Sequence, residues 1–232
     1  SNLKLMNYGY DSLELDLELE DDDKNERYPI QLYHFVSSHV DIKDKNILEV
    51  GSGRGGGASY IARYLKPFSI TGIDISNEAV NLCSKFYDVP NLNFLYGDSE
   101  NIPFSDNSFD VLINIESSHC YGDMSKFLSE AYRTLKKDGF FLFCDFRTLD
   151  GLQELYDQLS SSDFKFLNRI DITSNIIQGL DKLSEYREDQ IDKSVSIFIK
   201  KLFKTYAGIK GTEIYNSFAN NSMVYICAIL KK

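Results

Sequence analysis

The sequence predicts an α/β fold, in which a mostly parallel sheet carries helices on both of its faces. From Asn46 onward, short apolar runs of strand length alternate with longer segments of helical pattern, and this alternation is typical of right-handed β-α-β crossovers. The strand runs are apolar almost throughout, as expected of strands that are buried on both faces. With 232 residues, the chain is long enough for one large domain with a full hydrophobic core.

Seven strands and the helices between them can be placed in order along the chain. Ser76 is placed to cap the helix that follows the second strand. The predicted strands cover residues 46–50, 69–75, 92–96, 109–115, 140–145, 164–171 and 222–230. The predicted helices cover residues 57–65, 78–87, 124–135 and 152–159, with two or three further helical stretches between 175 and 220.

Two segments lie outside the predicted core, which spans residues 46–173 and closes with the last strand in 222–232. Residues 1–45 form a leader with a helix over 28–40, and we expect this leader to cover a cofactor. Leucines alternate with acids from Leu13 to Leu19, which fits either a half-exposed strand or a partly ordered loop. Residues 174–221 form a helical insertion, and insertions of this size usually cover a ligand. Several of its apolar and aromatic residues either line an apolar substrate pocket or pack in the core. They are Ile176, Ile177, Tyr186, Phe198, Phe203, Tyr206 and Tyr215.

The charge of the chain argues against nucleic acid as a partner. There are 35 acidic and 25 basic residues, which give a formal net charge of −10, and such a field repels a phosphate backbone or an anionic membrane. No apolar run is long enough to span a bilayer, and the N-terminus shows no targeting signal. The four cysteines form no Cys-x-x-Cys pair, so neither a disulfide framework nor a zinc site is expected. These features predict a cytoplasmic protein.

A glycine-rich turn follows the first predicted strand and opens a helix. Residues 49–57 contain five glycines, which let the backbone turn sharply and bring bare N–H groups close to a ligand. Gly51, Gly53 and Gly56 also satisfy the dinucleotide pattern G-x-G-x-x-G. Asp74, at the end of the second strand, can accept hydrogen bonds from two ribose hydroxyls. The turn and Asp74 therefore fit either NAD or an adenosyl ligand.

Two further acids favour a cationic ligand over a pyrophosphate. Asp98 ends the third strand, where its carboxylate can accept a hydrogen bond from an exocyclic adenine amine. Glu49 adds negative charge beside the turn, which attracts an ammonium and a sulfonium but repels a pyrophosphate. Three acids at the ends of three successive strands therefore predict S-adenosylmethionine as the cofactor.

The order and spacing of these blocks resemble a known family. The blocks in residues 48–55, 71–74, 97–98, 109–110 and 135–139 are similar to those of the Rossmann-like S-adenosylmethionine-dependent methyltransferases. Residues 6–10, 116–121 and 145–147 resemble a narrower group, the phthiotriol and phenolphthiocerol dimycocerosate methyltransferases and the fatty-acid O-methyltransferases. The resemblance implies a seven-stranded sheet with a leader and a lid insertion before the last strand.

The resemblance also implies a role for each residue of the cofactor site. Glu49, Gly51 and Gly53 would line the methionine end. Arg54 could pair with the cofactor carboxylate or lie in solvent. Asp74 and Ile75 are expected at the ribose. Asp98 and Ser99 are expected at the adenine, and Ile115 and Glu116 near the sulfur. In the leader, Tyr10 and Gln31 are candidates to close over the cofactor.

His119 and Asp145 are the candidate catalytic residues. They follow the fourth strand and close the fifth, so they are expected at the edge of the sheet where the glycine-rich turn lies. A carboxylate fixes the tautomer of a histidine and makes it a general base, and the resemblance implies such a pair here. The alternative is a histidine that caps a turn beside a structural Asp145.

The sequence therefore predicts an enzyme that moves a methyl group to a hydroxyl or carboxyl oxygen of a hydrophobic small molecule, such as a lipid, a fatty acid or a polyketide. Transfer to carbon or nitrogen is the nearest alternative. An NAD-dependent oxidoreductase and a non-catalytic protein that binds S-adenosylmethionine are the remaining alternatives.

Overall fold

The structure, a computed structural model, describes residues 4–196 and 199–232, and these residues form a seven-stranded sheet. Phe198, one of the predicted pocket residues, lies outside the described residues. The strands are β1 (Asn46–Val50), β2 (Ser69–Asp74), β3 (Leu92–Tyr96), β4 (Phe109–Ile115), β5 (Leu135–Thr148), β6 (Lys165–Asp171) and β7 (Met223–Lys231). The helices are α1 (Arg27–Ser37), α2 (Gly56–Tyr60), α3 (Asn77–Phe86), α4 (Met124–Thr134), α5 (Leu149–Ser161), α6 (Thr173–Ser194), α7 (Lys200–Tyr206) and α8 (Glu213–Ala219).

The sheet has the strand order β3-β2-β1-β4-β5-β7-β6. Strands β1 to β5 pair in parallel, whereas β7 lies antiparallel between β5 and β6. The predicted α/β class with a mostly parallel sheet is confirmed. Because β1, β2, β4 and β5 are parallel, their carboxyl ends meet at one edge, which is where α/β folds bind ligands.

Strand β5 is longer than the sequence predicts. The apolar run predicts residues 140–145, whereas the strand extends from Leu135 to Thr148. The extra residues at the carboxyl end form a ladder with β7, which continues to Thr148 opposite Met223. A strand that is completed by a distant partner can extend beyond its own apolar run, and the sequence of β5 alone does not show this.

Two hydrophobic clusters cover the two faces of the sheet. Successive strand residues alternate between them, so that Ile47 and Leu142 belong to one cluster and Leu48 and Phe141 to the other. The first cluster includes residues of α1, α2, α6 and α8, and the second includes residues of α4 and α5. Both faces are buried, which explains why the strands are apolar almost throughout.

From Lys4 onward, the leader is a loop up to its first short turn. Leu13 is fully exposed, and the next leucines of the alternating run pack only partly against the core. The loop alternative is therefore the correct one. A 3-10 turn (Asp21–Glu26) precedes α1, which ends three residues earlier than predicted. The predicted cap of α3 is confirmed, since Ser76 Oγ accepts a hydrogen bond from the N–H of Ala79 at 3.2 Å.

The insertion packs beside the leader on the face that carries α1. Ile176 and Phe218 of the insertion are fully buried in the same cluster as Tyr8 and Tyr10 of the leader. The backbone of Asp11 donates to the carbonyl oxygen of Asn175 at 3.0 Å. In the part of the chain that the structure describes, no helix is both long enough and apolar enough to cross a membrane.

Candidate active site

The glycine-rich turn lies between β1 and α2 at the carboxyl edge of the sheet. Gly51 has a φ of 77°, and a Cβ atom there would clash with the hydroxyl of Ser117. A Cβ atom on Gly56 would clash with the backbone oxygen of Lys4. The leader therefore passes directly over the turn, and the bare glycine backbone permits this close approach.

Two acids follow the neighbouring strands at the same edge. Asp74 Oδ2 accepts a hydrogen bond from the backbone N–H of Gly53 at 2.8 Å, so this carboxylate holds the turn against β2. Asp98 follows β3, and both acids are half-buried. Ile75 is 66% exposed and Ser99 is half-buried, so both side chains border open space at this edge.

Glu49 lies beneath the turn and is almost completely buried. The side chain is 1% exposed, and its Oε1 accepts a hydrogen bond from the hydroxyl of Tyr33 at 2.7 Å. Its Oε2 has no hydrogen-bond partner among the residues described. Burial raises the pKa of Glu49 to about 8, against hydrogen bonds from Tyr33 and Ala58 that lower it. Burial thus opposes ionisation of Glu49, and its negative charge beside the turn remains a prediction.

His119 and Asp145 form a hydrogen-bonded pair, as the sequence predicts. His119 lies in the 3-10 turn Ser118–Cys120 after β4, and Asp145 lies on β5. The distance from His119 Nδ1 to Asp145 Oδ1 is 2.9 Å, and Asp145 is fully buried. Since the carboxylate engages Nδ1, the Nε2 atom remains for chemistry.

The two partners change each other's pKa. Burial raises the pKa of Asp145, but the hydrogen bond and charge of His119, with Arg147 and Ser118, outweigh it and leave this pKa below its usual value. Burial lowers the pKa of His119, but the hydrogen bond and charge of Asp145 outweigh it and leave this pKa above its usual value. The pair therefore stabilises the imidazolium that forms when His119 takes up a proton.

Neighbouring residues that the sequence reasoning gave no role hold this pair in place. Arg147 Nη1 lies 3.2 Å from Asp145 Oδ2, and Ser118 Oγ donates to the same oxygen at 2.6 Å. The His119 ring lies against Phe146, with 4.4 Å between ring centroids. The one signal available in the sequence is that all three residues lie within two positions of His119 or Asp145.

A cleft of about 360 Å³ joins the turn to the catalytic pair. Its walls include His119 and Glu116, together with Arg54 and residues of the leader. Other residues that line it are Met6, Tyr8, Gly51, Gly53, Ile115 and Phe146. The structure thus brings the predicted catalytic residue and the glycine-rich turn to one cavity, whose walls combine apolar and aromatic side chains with charged ones.

Comparison with known proteins identifies the family. A family model described as a methyltransferase domain matches residues 48–143. The phthiotriol/phenolphthiotriol dimycocerosates methyltransferase of Mycobacterium tuberculosis (strain ATCC 25618 / H37Rv) is 35% identical over 211 residues, which cover 91% of this chain and 78% of that protein. The fatty-acid O-methyltransferase of Mycolicibacterium smegmatis is 32% identical over 221 residues, which cover 95% of this chain and 80% of that protein. The chain belongs to the S-adenosylmethionine-dependent methyltransferases.

Solved structures show the same fold. A putative sarcosine dimethylglycine methyltransferase from Galdieria sulphuraria matches with a TM-score of 0.77 and 16% identity, covering 98% of this chain and 93% of that one. The cyclopropane synthase MmaA2 from Mycobacterium tuberculosis matches with a TM-score of 0.74 and 16% identity, covering 92% and 87%. The Rossmann-like methyltransferase fold predicted from the sequence is confirmed.

Membership of this family decides between the two cofactors that the glycine-rich turn and Asp74 left open. The methyltransferase is an enzyme, and its methyl donor is S-adenosylmethionine. The predictions of the enzyme class and of the cofactor are confirmed. The alternatives of an NAD-dependent oxidoreductase and a non-catalytic protein are set aside.

Glu116 connects the cleft of the methyltransferase to the leader. Its φ is 47°, and its Oε1 accepts hydrogen bonds from the backbone N–H of Tyr8 and the hydroxyl of Tyr225, both at 2.8 Å. Burial raises the pKa of Glu116 to about 7, against these two hydrogen bonds, which lower it. The sequence placed Glu116 near the cofactor, but it gave no sign of these two tyrosines, which come from opposite ends of the chain.

Tyr10 and Gln31 do not line the cleft. Tyr10 is buried and stacks on Phe35, with 4.5 Å between ring centroids. The Gln31 side chain is 2% exposed and donates to the carbonyl oxygen of Leu15 at 2.9 Å. Tyr10 therefore packs the loop of the leader onto α1, and Gln31, which lies on α1, bonds to the same loop. The contacts of the leader with the cleft come from other positions, among them Met6.

Proposed function

We propose that this methyltransferase moves a methyl group to a hydroxyl or carboxyl oxygen of a hydrophobic small molecule, such as a lipid, a fatty acid or a polyketide. The observation that carries the proposal is the His119–Asp145 pair beside the cleft, since a histidine held by a carboxylate is placed to accept a proton from a hydroxyl. The apolar and aromatic side chains of the cleft favour an apolar acceptor. Two relatives are named for dimycocerosates and for fatty acids.

The residues around the glycine-rich turn fit the cofactor. Glu49 Oε2 is buried without a hydrogen-bond partner among the described residues, and a ligand ammonium would satisfy it. We assign Asp74, at the end of β2, to the ribose hydroxyls and Asp98, two residues after β3, to the adenine amine. The other cofactor contacts that we propose are Gly51, Gly53, Ile75, Ser99, Ile115 and Glu116.

When bound, the cofactor supplies an electrophilic methyl group on a sulfonium, so the protein has to align the acceptor oxygen with it. Alignment of this kind supplies at most roughly 7–11 kcal/mol of a barrier. His119 takes the proton of a hydroxyl acceptor through Nε2, while Asp145 holds Nδ1 and stabilises the charge on the ring. A carboxyl acceptor is already ionised near neutral pH and needs no base.

Identification of the methylated atom tests this function. The enzyme is incubated with S-adenosylmethionine that carries a ¹³C-labelled methyl group and with a panel of fatty acids, hydroxylated lipids and phenolic polyketides. We expect a labelled methyl ether or methyl ester, which NMR distinguishes from methyl on carbon or nitrogen. A product labelled only on carbon or nitrogen would refute the proposal. Reactions with S-adenosylhomocysteine in place of the donor give the background.

A further inference from the structure

A second cavity, of about 250 Å³, lies beside the cleft, where α6, α7 and the leader meet. Most of its walls are apolar or aromatic, and it is partly open to solvent, since Phe203 is 47% and Tyr206 68% exposed. We call it the lid cavity, and the residues that matter here are Leu5, Met6, Ile191, Val195, Phe203 and Tyr206. Arg187 also lines it, and its guanidinium donates to the carbonyl oxygens of Asn7 and Ala207 at 2.6 and 3.0 Å.

The lid cavity and the cleft share part of their walls. Leu5, Met6 and Tyr206 line both cavities. Met6 is 63% exposed, and an unbranched thioether changes conformation readily. A ligand whose reacting end lies at His119 can therefore extend past Met6 into the lid cavity with little rearrangement.

Ile191 and Val195 form the wall on the side away from the cleft. Both residues line the lid cavity, and neither lines the cleft. Ile191 lies in the last turn of α6, and Val195 directly follows the helix with an extended backbone. Their size consequently limits how far a ligand can extend under the lid.

We propose that the lid cavity holds the aliphatic chain of the acceptor, and that Ile191 and Val195 set the longest chain that fits. The inference rests on the proposed function, because it names the part of a hydrophobic acceptor that lies under the lid. It makes the acceptor a molecule with one unbranched chain next to its reacting oxygen. It also makes Ile191 and Val195 specificity-determining residues that have no contact with the reacting atoms.

Calorimetry with n-alkanoates from hexanoate to hexadecanoate, in the presence of S-adenosylhomocysteine, tests the inference without turnover. For the wild type we expect the affinity to rise about fourfold with each methylene group until the cavity is full, and then to level off. Val195→Phe should make the affinity level off at a shorter chain. Ile191→Ala should move the limit to a longer chain. The two substitutions are expected to shift the chain-length limit in opposite directions, so either variant alone still tests the inference if the other folds poorly.

Lys193→Phe is the matched control, because Lys193 lies between the two positions and its side chain is 68% exposed. Its chain-length profile should equal that of the wild type. The inference is overturned if Val195→Phe and Ile191→Ala both keep the wild-type limit, or if affinity does not depend on chain length. A failure of the proposed function appears elsewhere, as absent or misplaced methylation, and is thus distinguishable from a failure of the lid cavity.

Discussion

Replacing Glu49 with Gln should stabilise the protein at alkaline pH when no cofactor is present. Glu49 is 1% exposed, and burial raises its pKa from 4.5 to about 8. Since each pKa unit corresponds to about 1.4 kcal/mol, ionising this carboxyl inside the fold costs about 4–5 kcal/mol. Above pH 4.5 the unfolded chain loses this proton while the folded protein keeps it. The free energy of unfolding of the wild type therefore falls as the pH rises toward 8, whereas Gln has no proton to lose.

Urea denaturation at pH 5 and at pH 8 measures this difference. At pH 5 we expect Glu49→Gln and the wild type to differ by no more than about 1 kcal/mol. At pH 8 the variant should be more stable by about 3–4 kcal/mol, because the Gln side chain can still accept the hydrogen bond from Tyr33. Glu18→Gln is the control, since Glu18 is exposed in the leader. The reasoning fails if the stabilities of the wild type and of Glu49→Gln change in parallel with pH.

Cofactor binding provides a second measurement on the same residue. An ammonium beside Glu49 would favour the ionised carboxylate, so binding should release about 0.9 proton from Glu49 at pH 7. Calorimetry of S-adenosylmethionine in buffers with different ionisation enthalpies measures the number of protons released. Glu49→Gln should release about one proton fewer than the wild type. Equal proton release by the two proteins would contradict the assignment of Glu49 to the cofactor.

Three further predictions concern the turn, the catalytic pair and a helix cap. Gly51→Ala should lower the free energy of unfolding by more than about 1–2 kcal/mol in urea denaturation, since a positive φ alone costs this much and the new methyl group meets Ser117; an unchanged value would contradict this. Asp145→Asn should lower the pKa of His119, so that the acidic limb of the pH–kcat profile moves to lower pH while kcat falls about 10²–10⁴-fold; a limb that stays in place contradicts the pairing. Ser76→Ala should cost about 1 kcal/mol in thermal unfolding through the lost cap of α3, and no change would show that the cap contributes nothing.

The sequence was sufficient to predict a mostly parallel sheet and the meeting of His119 with Asp145. The second prediction follows from the first, because the carboxyl ends of parallel strands lie at one edge. The motif spacing from Glu49 to Asp98 likewise sufficed for the cofactor. These features depend on contacts within the β-α-β units, where the chain itself imposes the geometry.

Other features depend on contacts between distant segments, which the sequence does not show. The hydroxyl of Tyr33 and the backbone of Ala58 surround Glu49 only after α1 and α2 have packed on the sheet. Tyr225 reaches Glu116 from the last strand. The alternating leucines of the leader would show the same period in a strand and in a loop that packs one side onto the core. Only the structure therefore distinguishes the strand from the loop. The sequence likewise does not show whether the Tyr10 side chain faces the cofactor or the interior of the protein.

Comparison of His119→Ala on two acceptors tests the central claim most directly. The acceptors are a long-chain alcohol, whose oxygen must lose a proton, and the corresponding carboxylate, whose oxygen is already ionised. His34→Ala is the matched control, because His34 contacts Tyr60 and does not line the cleft. We predict that His119→Ala lowers kcat for the alcohol about 10²–10⁴-fold and leaves kcat for the carboxylate close to that of His34→Ala. An equal loss on both acceptors, or no loss on the alcohol, would contradict a general base at His119.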